Sequence, residues 1–215
     1  MEIISVNIGQ ECAIENAKPT GKTGIYKQPT GGPVQVTRLG LAGDVIVDTK
    51  HHGGPDQALY IYTQPDYAWW SQELGVEVGA GTFGDNLTLS EVESAAVAVG
   101  DRFLFGEVIL EATAPRIPCE TLAARMGDAH FIARFRRAER PGIYCRVIHE
   151  GLVQAGMAVD YQPYAGETLT LGEMFREYYH RPPVEEALRR QLKAPIAARA
   201  RREKEEQLER LKAQG

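Results

Sequence analysis

The chain has 215 residues, 43% of them hydrophobic and 25% charged, with a formal net charge of −5. That is the balance of a globular protein with a core of useful size, and its acidic surplus argues against general binding to a nucleic-acid polymer. No apolar run is long enough to span a bilayer, the first residues lack the basic start of a signal peptide, and three scattered cysteines (Cys12, Cys119, Cys145) do not make a disulfide scaffold, so a cytoplasmic location is expected.

Short β-type runs separated by Gly, Pro, Asp and Asn fill the chain up to about residue 165. The first is Ile3–Ile8, ended by Gly9. Residues 16–33 read as loop with a short strand at Ile25-Tyr26, and Val34-Gln35-Val36 alternates like a half-buried strand. Gly40 and Gly43-Asp44 mark turns, and new strands are expected from Val45-Ile46-Val47 and over residues 58–62. A helix should follow, with Thr63 as cap, Pro65 in the first turn, an apolar face at Tyr67, Trp70 and Leu74, and Gly75 as the stop.

Further strands are expected at residues 87–89, 103–105, 108–112, 144–148 and 151–153, and helices at 120–126 and 131–138. Many closely spaced strands with glycine turns predict a mainly β, α+β fold: a β-barrel or sandwich with inserted helices. From residue 166 the pattern turns helical. Thr170 and Glu173 have the spacing of a capping box, Leu171, Met174, Phe175 and Tyr178 keep one face, and Pro182-Pro183 and Pro195 divide the remainder into segments 184–193 and 196–212. The expected organisation is a β-barrel domain at 1–165 and a small three-helix domain at 166–215.

Four stretches carry residues suited to chemistry. In Pro115-Arg116-Ile117-Pro118-Cys119 two prolines stiffen a loop that delivers a thiol to a helix N-terminus, where the dipole and Arg116 favour a thiolate. His51-His52-Gly53-Gly54 offers imidazoles and a backbone able to approach an anion; adjacent histidines of an extended chain face opposite ways, so one of the two should face a pocket. Residues 81–87, with Gly84 and Asn86, could bring polar donors to a ligand. Arg134, Arg136, Arg137, Arg140 and Arg146 form a local basic bias suited to phosphate. A zinc site made of His51, His52 and Cys119 is a weaker alternative, because the spacing is not that of a catalytic zinc.

Taken in order, these stretches resemble the MOSC domain, the module named for the C-terminal part of molybdenum cofactor sulfurase. The matching residues are Gly43-Asp44, His51 to Gly54 with Gln57-Ala58, residues 81–87, Val99-Gly100-Asp101, Pro115 to Cys119, and Gly142-Ile143-Tyr144 with Arg146-Val147. The helical tail resembles that of the YiiM-like branch. One departure is Gly156-Met157, where the family usually has a Gly-Asp turn. The resemblance implies a MOSC-like β-barrel whose pocket holds the molybdenum cofactor (Mo-molybdopterin), with Cys119 as the sulfur ligand to the metal. Gly53, Gly54, Gly84, Asn86, Arg116, Arg140, Tyr144 and Arg146 become candidates for holding the cofactor, and His51 or His52 for supplying a proton. It further implies two-electron reduction of N-hydroxylated compounds, such as hydroxylaminopurines, to amines. Electrons would come from a separate donor protein, and the charged tail helices would dock that donor or a second subunit of a homodimer. The alternative is a module that carries the cofactor or its sulfur without turnover of its own.

Overall fold

A computed structural model describes residues 1–17, 21–49 and 52–213. In chain order the strands are β1 (Ile3–Ile8), β2 (Cys12–Ala13), β3 (Lys22–Thr23), β4 (Gln28–Pro29), β5 (Val34–Thr37), β6 (Gly40–Leu41), β7 (Leu59–Thr63), β8 (Leu87–Leu89), β9 (Arg102–Phe105), β10 (Val108–Ala114), β11 (Ile143–His149), β12 (Gly151–Val153) and β13 (Asp160–Gln162). The helices are α1 (Gln64–Leu74), α2 (Glu120–Met126), α3 (Phe131–Ala138), α4 (Leu171–Tyr179), α5 (Glu185–Lys193) and α6 (Ala198–Lys212). Among the described residues no helix is long and apolar enough to cross a membrane.

Eight strands pair in the order β13-β9-β10-β11-β7-β8-β1-β4. All neighbours are antiparallel except β7 and β8, which α1 connects as a crossover, as a parallel pair requires. The two ends of this sheet are drawn together. Ile3 N donates to Met157 O (2.9 Å), Gly156 N to Ile3 O (2.8 Å) and Val159 N to Met1 O (2.9 Å), laying the segment before β13 beside the start of β1. Gly156 supplies the positive φ (85°) that this turn needs, so Met157 replaces the family's aspartate without loss of the turn. The expected fold thus holds in its coarser form, a mixed α+β protein with one large sheet and several helices.

Strand β7 shows how the sequence divides the interior. Its five residues are all buried, and period-two alternation sends Leu59 and Ile61 into the aliphatic core while Tyr60 and Tyr62 enter an aromatic cluster with Trp70, Phe83, Phe131 and Phe135. That second cluster lies under α1–α3 and supports the loop carrying Cys119. Burying one ring of this size contributes about 1.5–3 kcal/mol.

The tail packs on the same interior. Leu171 and Met174 of α4 join the aliphatic core together with Ala194 and Ile196, and Phe175 joins the aromatic cluster. Thr170 and Glu173 make the reciprocal capping box, Thr170 Oγ1 accepting from Glu173 N (3.2 Å) and Glu173 Oε2 from Thr170 N (2.8 Å).

Several expectations fail locally. No strand forms at Val45-Ile46-Val47, where Val45 N donates to Gly9 O (3.0 Å) without a continuing ladder. Ile25-Tyr26 is loop between β3 and β4, Gly40 belongs to β6 rather than to a turn, and β13 adds a strand beyond those expected. Thr63 precedes α1 without a side-chain cap, and Asp66 binds Ser94 N (3.2 Å) and Arg140 Nη1 (2.7 Å) instead.

Candidate functional site

Strand β10 ends at Ala114, and the proline-bracketed loop then runs to Cys119, which is the N-cap of α2 with extended backbone (φ −130°, ψ 168°). The Cys119 carbonyl accepts from the N–H groups of Leu122 (3.0 Å) and Ala123 (3.2 Å), anchoring the residue to the first turn. Its thiol is half-buried and free. Burial by itself would push the thiol up, but a hydrogen bond from His52, the charges of Arg116 and His52 and the Leu122 N–H outweigh it and bring Cys119 down to about 6. The sulfur is therefore a thiolate at neutral pH. Cys145, fully buried in β11, is pushed the other way by desolvation.

Arg116 is only 5% exposed. Its Nη1 donates to the Phe83 carbonyl, its guanidinium lies 5.1 Å from the centre of the Tyr60 ring, and its Nε is buried without a partner among the described residues. Tyr60 is fixed by its hydroxyl on Pro141 O (2.9 Å) and by the Tyr144 ring 4.9 Å away. Burial raises the hydroxyls of both tyrosines above their ordinary range, so both stay neutral. Tyr144 Oη faces His52 Nδ1 at 3.5 Å.

These groups line a cleft of about 100 Å³. Its other wall is Thr23 at the end of β3 with the loop residues Gly24, Ile25 and Lys27 on one side, and Val45 to Asp48 on the next. Gly24 allows this arrangement, because a Cβ there would lie 2.0 Å from the Val45 carbonyl oxygen. Lys27 is buried against Asp44, with both carboxylate oxygens 2.5 Å from its Nζ. Desolvation pulls the Lys27 ammonium below its ordinary value while Asp44 works against that. Asp44 also accepts from Gly9 N and from Asn86 Nδ2 (both 2.8 Å), tying three segments together at the edge of the cleft.

A second cleft, of about 550 Å³, opens between the cysteine loop and helices α3, α4 and α6. The two clefts share His52, Gln57, Cys119 and Tyr144. The thiolate therefore stands at a junction.

Of the expected residues, Cys119, His52, Gly53, Gly84, Asn86, Arg116 and Tyr144 line the first cleft. Gly53 and Gly84 hold φ of 75° and 73°, with a Cβ at either expected 2.9 Å from an isoleucine side chain. The Asn86 amide is spent within the protein, accepting from Tyr60 N (3.1 Å) and donating to Asp44. Gly54 instead caps the 3-10 turn Pro55–Gln57 and lines neither cleft. His51 lies outside the described residues.

The arginine cluster requires a correction, since none of its members lines the first cleft. Arg140 pairs with fully buried Asp66 (2.7 Å) over the Trp69 ring, and Arg146 contacts Asp56 (3.1 Å) and Glu111 (3.5 Å). Arg146 also donates to the carbonyls of Pro195 (3.0 Å) and Ile196 (3.2 Å), fastening the tail to β11. Arg134 pairs with Asp128 and Glu73, and Arg136 stacks on Tyr179. The basic groups that do reach the cleft are Arg116, Lys27 and Lys22. The last two, with Tyr60 and Thr121, come to the cleft from distant segments that share no spacing in the sequence.

Among the described residues no group of three or more His, Cys, Asp or Glu side chains is placed to hold a metal ion. One soft thiolate beside a buried cation suits instead a metal that arrives with an anionic organic ligand of its own.

The MOSC domain family model matches residues 48–160. YflK of Bacillus subtilis is 32% identical over 154 residues, 72% of this chain and 70% of that protein. YiiM of Escherichia coli is 33% identical over 143 residues, 65% of this chain and 64% of that one. A protein of Gibberella moniliformis named as a reductase is 32% identical over 136 residues, 61% of this chain but only 24% of its own length. Among solved structures, YiiM from Geobacillus stearothermophilus superposes with a TM-score of 0.79 at 25% identity, covering 96% of this chain and 98% of that one.

Proposed function

The chain belongs to the MOSC domain family, and from that we propose that it binds a molybdenum cofactor through Cys119 and reduces N-hydroxylated compounds to amines. The observation that carries this reading is the Cys119 thiolate, ionised by His52 and Arg116 at the meeting point of two clefts. The residues present fit such a group. The thiolate needs no proton removed before it ligates a soft metal, and the buried Arg116, whose Nε is unspent, is the cation of this cleft not paired with a carboxylate among the described residues, Lys27 being matched by Asp44 and Lys22 by Glu11. When bound, the cofactor supplies the two-electron chemistry that removes the oxygen of an N–OH group. The chain does the rest. The proline-stiffened loop fixes the sulfur, Tyr60 and Tyr144 place neutral rings in the same cleft, and His52, beside Tyr144 Oη, would hold one of the two protons that reduction of N–OH to N–H and water consumes, the other coming from solvent.

Electrons are proposed to come from a separate donor protein, and residues 1–165 and 166–215 to act as a MOSC-like unit and its helical companion. The reductase name of the Gibberella relative favours the redox reading over simple carriage. Metal analysis of protein made in a cofactor-competent host should find molybdenum and pterin, and Cys119→Ser should abolish reduction of a hydroxylaminopurine by chemically reduced protein. Undiminished activity in that variant would refute the proposal. Cyanide-labile sulfur on Cys119 without N-reduction would favour the carrier reading instead.

A further inference from the structure

The second cleft lies between two walls that come from different parts of the chain. One is the cysteine loop, with Gln57 of the 3-10 turn and Ile132 of α3. The other is the tail: Tyr178 of α4, and Ala197, Ala200 and Glu203 from the N-cap of α6 onward. The distance between these walls decides what reaches the sulfur from this side. One carboxylate spans them.

Asp56 sits in the 3-10 turn that follows His52-Gly53-Gly54, directly before Gln57, which lines both clefts. Its backbone is fixed to the sheet, the carbonyl accepting from Thr113 Oγ1 of β10 (2.6 Å), and its Oδ1 faces Arg146 Nε of β11 at 3.1 Å. Its Oδ2 accepts from the N–H of Ala198, the first residue of α6 (2.7 Å). The N-cap of that helix is Ala197, whose methyl group accepts nothing. Asp56 thus supplies, from 142 residues away, the bond that a Ser, Thr or Asp cap would give, and sets a negative charge at the positive end of the helix dipole. The tail has other anchors. Ala194 and Ile196 lie in the aliphatic core, and Arg201 donates to the carbonyls of Leu192 and Ala194 (both 2.7 Å). Arg146 keeps Glu111 at 3.5 Å, so loss of Asp56 does not strand its charge.

On the reading that Cys119 marks the reacting centre, we infer that Asp56 is a positioning residue: it clasps the start of α6 to the turn beside His52, and so sets the size of molecule that reaches Cys119 through the second cleft. The carboxylate acts through the helix that it holds. Without the clasp α6 pivots about Ile196, and the wall carrying Ala200 and Glu203 withdraws from the cysteine loop.

Thiol labelling of the full chain tests this without a cofactor. The probes share one reactive group and differ in bulk: N-ethylmaleimide and N-(1-pyrenyl)maleimide, each rate taken relative to that with free glutathione and followed on the Cys119 peptide by mass spectrometry. Asp56→Ala should raise the ratio of the pyrenyl rate to the ethyl rate about tenfold, the shift expected from loss of one charge-assisted hydrogen bond. Asp56→Asn, whose amide oxygen still accepts from Ala198 N, should stay near the wild-type ratio. Ala198→Pro removes the donor instead. It does so at the first position of the helix and after a residue of extended backbone (Ala197, φ −53°, ψ 138°), both of which suit proline, and it should match Asp56→Ala. The pH midpoint for N-ethylmaleimide should be the same in all these proteins, because the groups that ionise the sulfur stay in place. An unchanged ratio in Asp56→Ala or in Ala198→Pro, an Asp56→Asn ratio as high as that of alanine, or a displaced midpoint would each overturn the inference. Because labelling needs no turnover, absence of molybdenum or of N-reduction would count against the proposed function and leave this result standing.

Discussion

Replacing His52 with alanine tests the electrostatics of the site in cofactor-free protein. The hydrogen bond from His52 is the foremost contribution lowering the Cys119 thiol to about 6, and its charge adds to that. Without it, Arg116 and the Leu122 N–H oppose burial alone, and we expect the thiol to rise by about 2 pH units. At pH 7 the thiolate fraction would then fall from about 90% to about 10%. A rate measured at that single pH would mislead. A more basic thiolate is also the better nucleophile, and a Brønsted slope of about 0.4–0.5 returns most of the loss over 2 units. The informative quantity is the midpoint of the pH–rate profile for reaction with a small disulfide reagent, followed on the Cys119 peptide by mass spectrometry so that Cys12 and Cys145 do not contribute. A profile displaced to higher pH in His52→Ala is expected. An unchanged midpoint would mean that His52 does not set the state of the sulfur.

Three other perturbations follow from the same geometry. The ionised Cys119 should contribute stability that is present above the unfolded-state value of about 8.5 and is lost as pH falls through the folded value; the difference in urea stability between wild type and Cys119→Ser should therefore grow with pH, by an amount on the order of 3 kcal/mol. Asp44→Ala strands the buried Lys27 ammonium and should cost about 3–5 kcal/mol, much of it recovered in the Asp44→Ala/Lys27→Met double variant when both are measured by denaturant unfolding. Gly142→Ala should cost more than about 2 kcal/mol, since the residue sits at φ 65° and the new Cβ would lie 2.3 Å from Tyr60 Oη; loss of near-ultraviolet tyrosine dichroism would report the displaced ring.

Local chemistry made part of the fold legible. The capping box at Thr170 and the glycine stops at Gly75 and Gly127 sit where their residue types require, and α2 begins at Glu120 with Cys119 as its N-cap, just after the proline. The thiol, His52, Arg116 and Tyr144 could be picked out because each lies in a stretch of unusual composition. The arginine cluster misled for a definite reason: a sequence displays a run of positive charge but not the carboxylates that fold against it, here Asp66, Asp56, Glu111 and Asp128. Val45-Ile46-Val47 misled in the opposite way. Its β-branched residues favour an extended chain, yet what that chain does depends on a partner strand, and Gly9 and Gly24 bring loop backbone there instead. Lys27 and Tyr60 reach the cleft only through long-range packing, which no spacing rule encodes.

Sharing four residues between the clefts couples them. On the proposed function, a cofactor held in the first cleft would form part of the surface met by whatever enters the second, so that its removal would change binding there through the four shared residues alone.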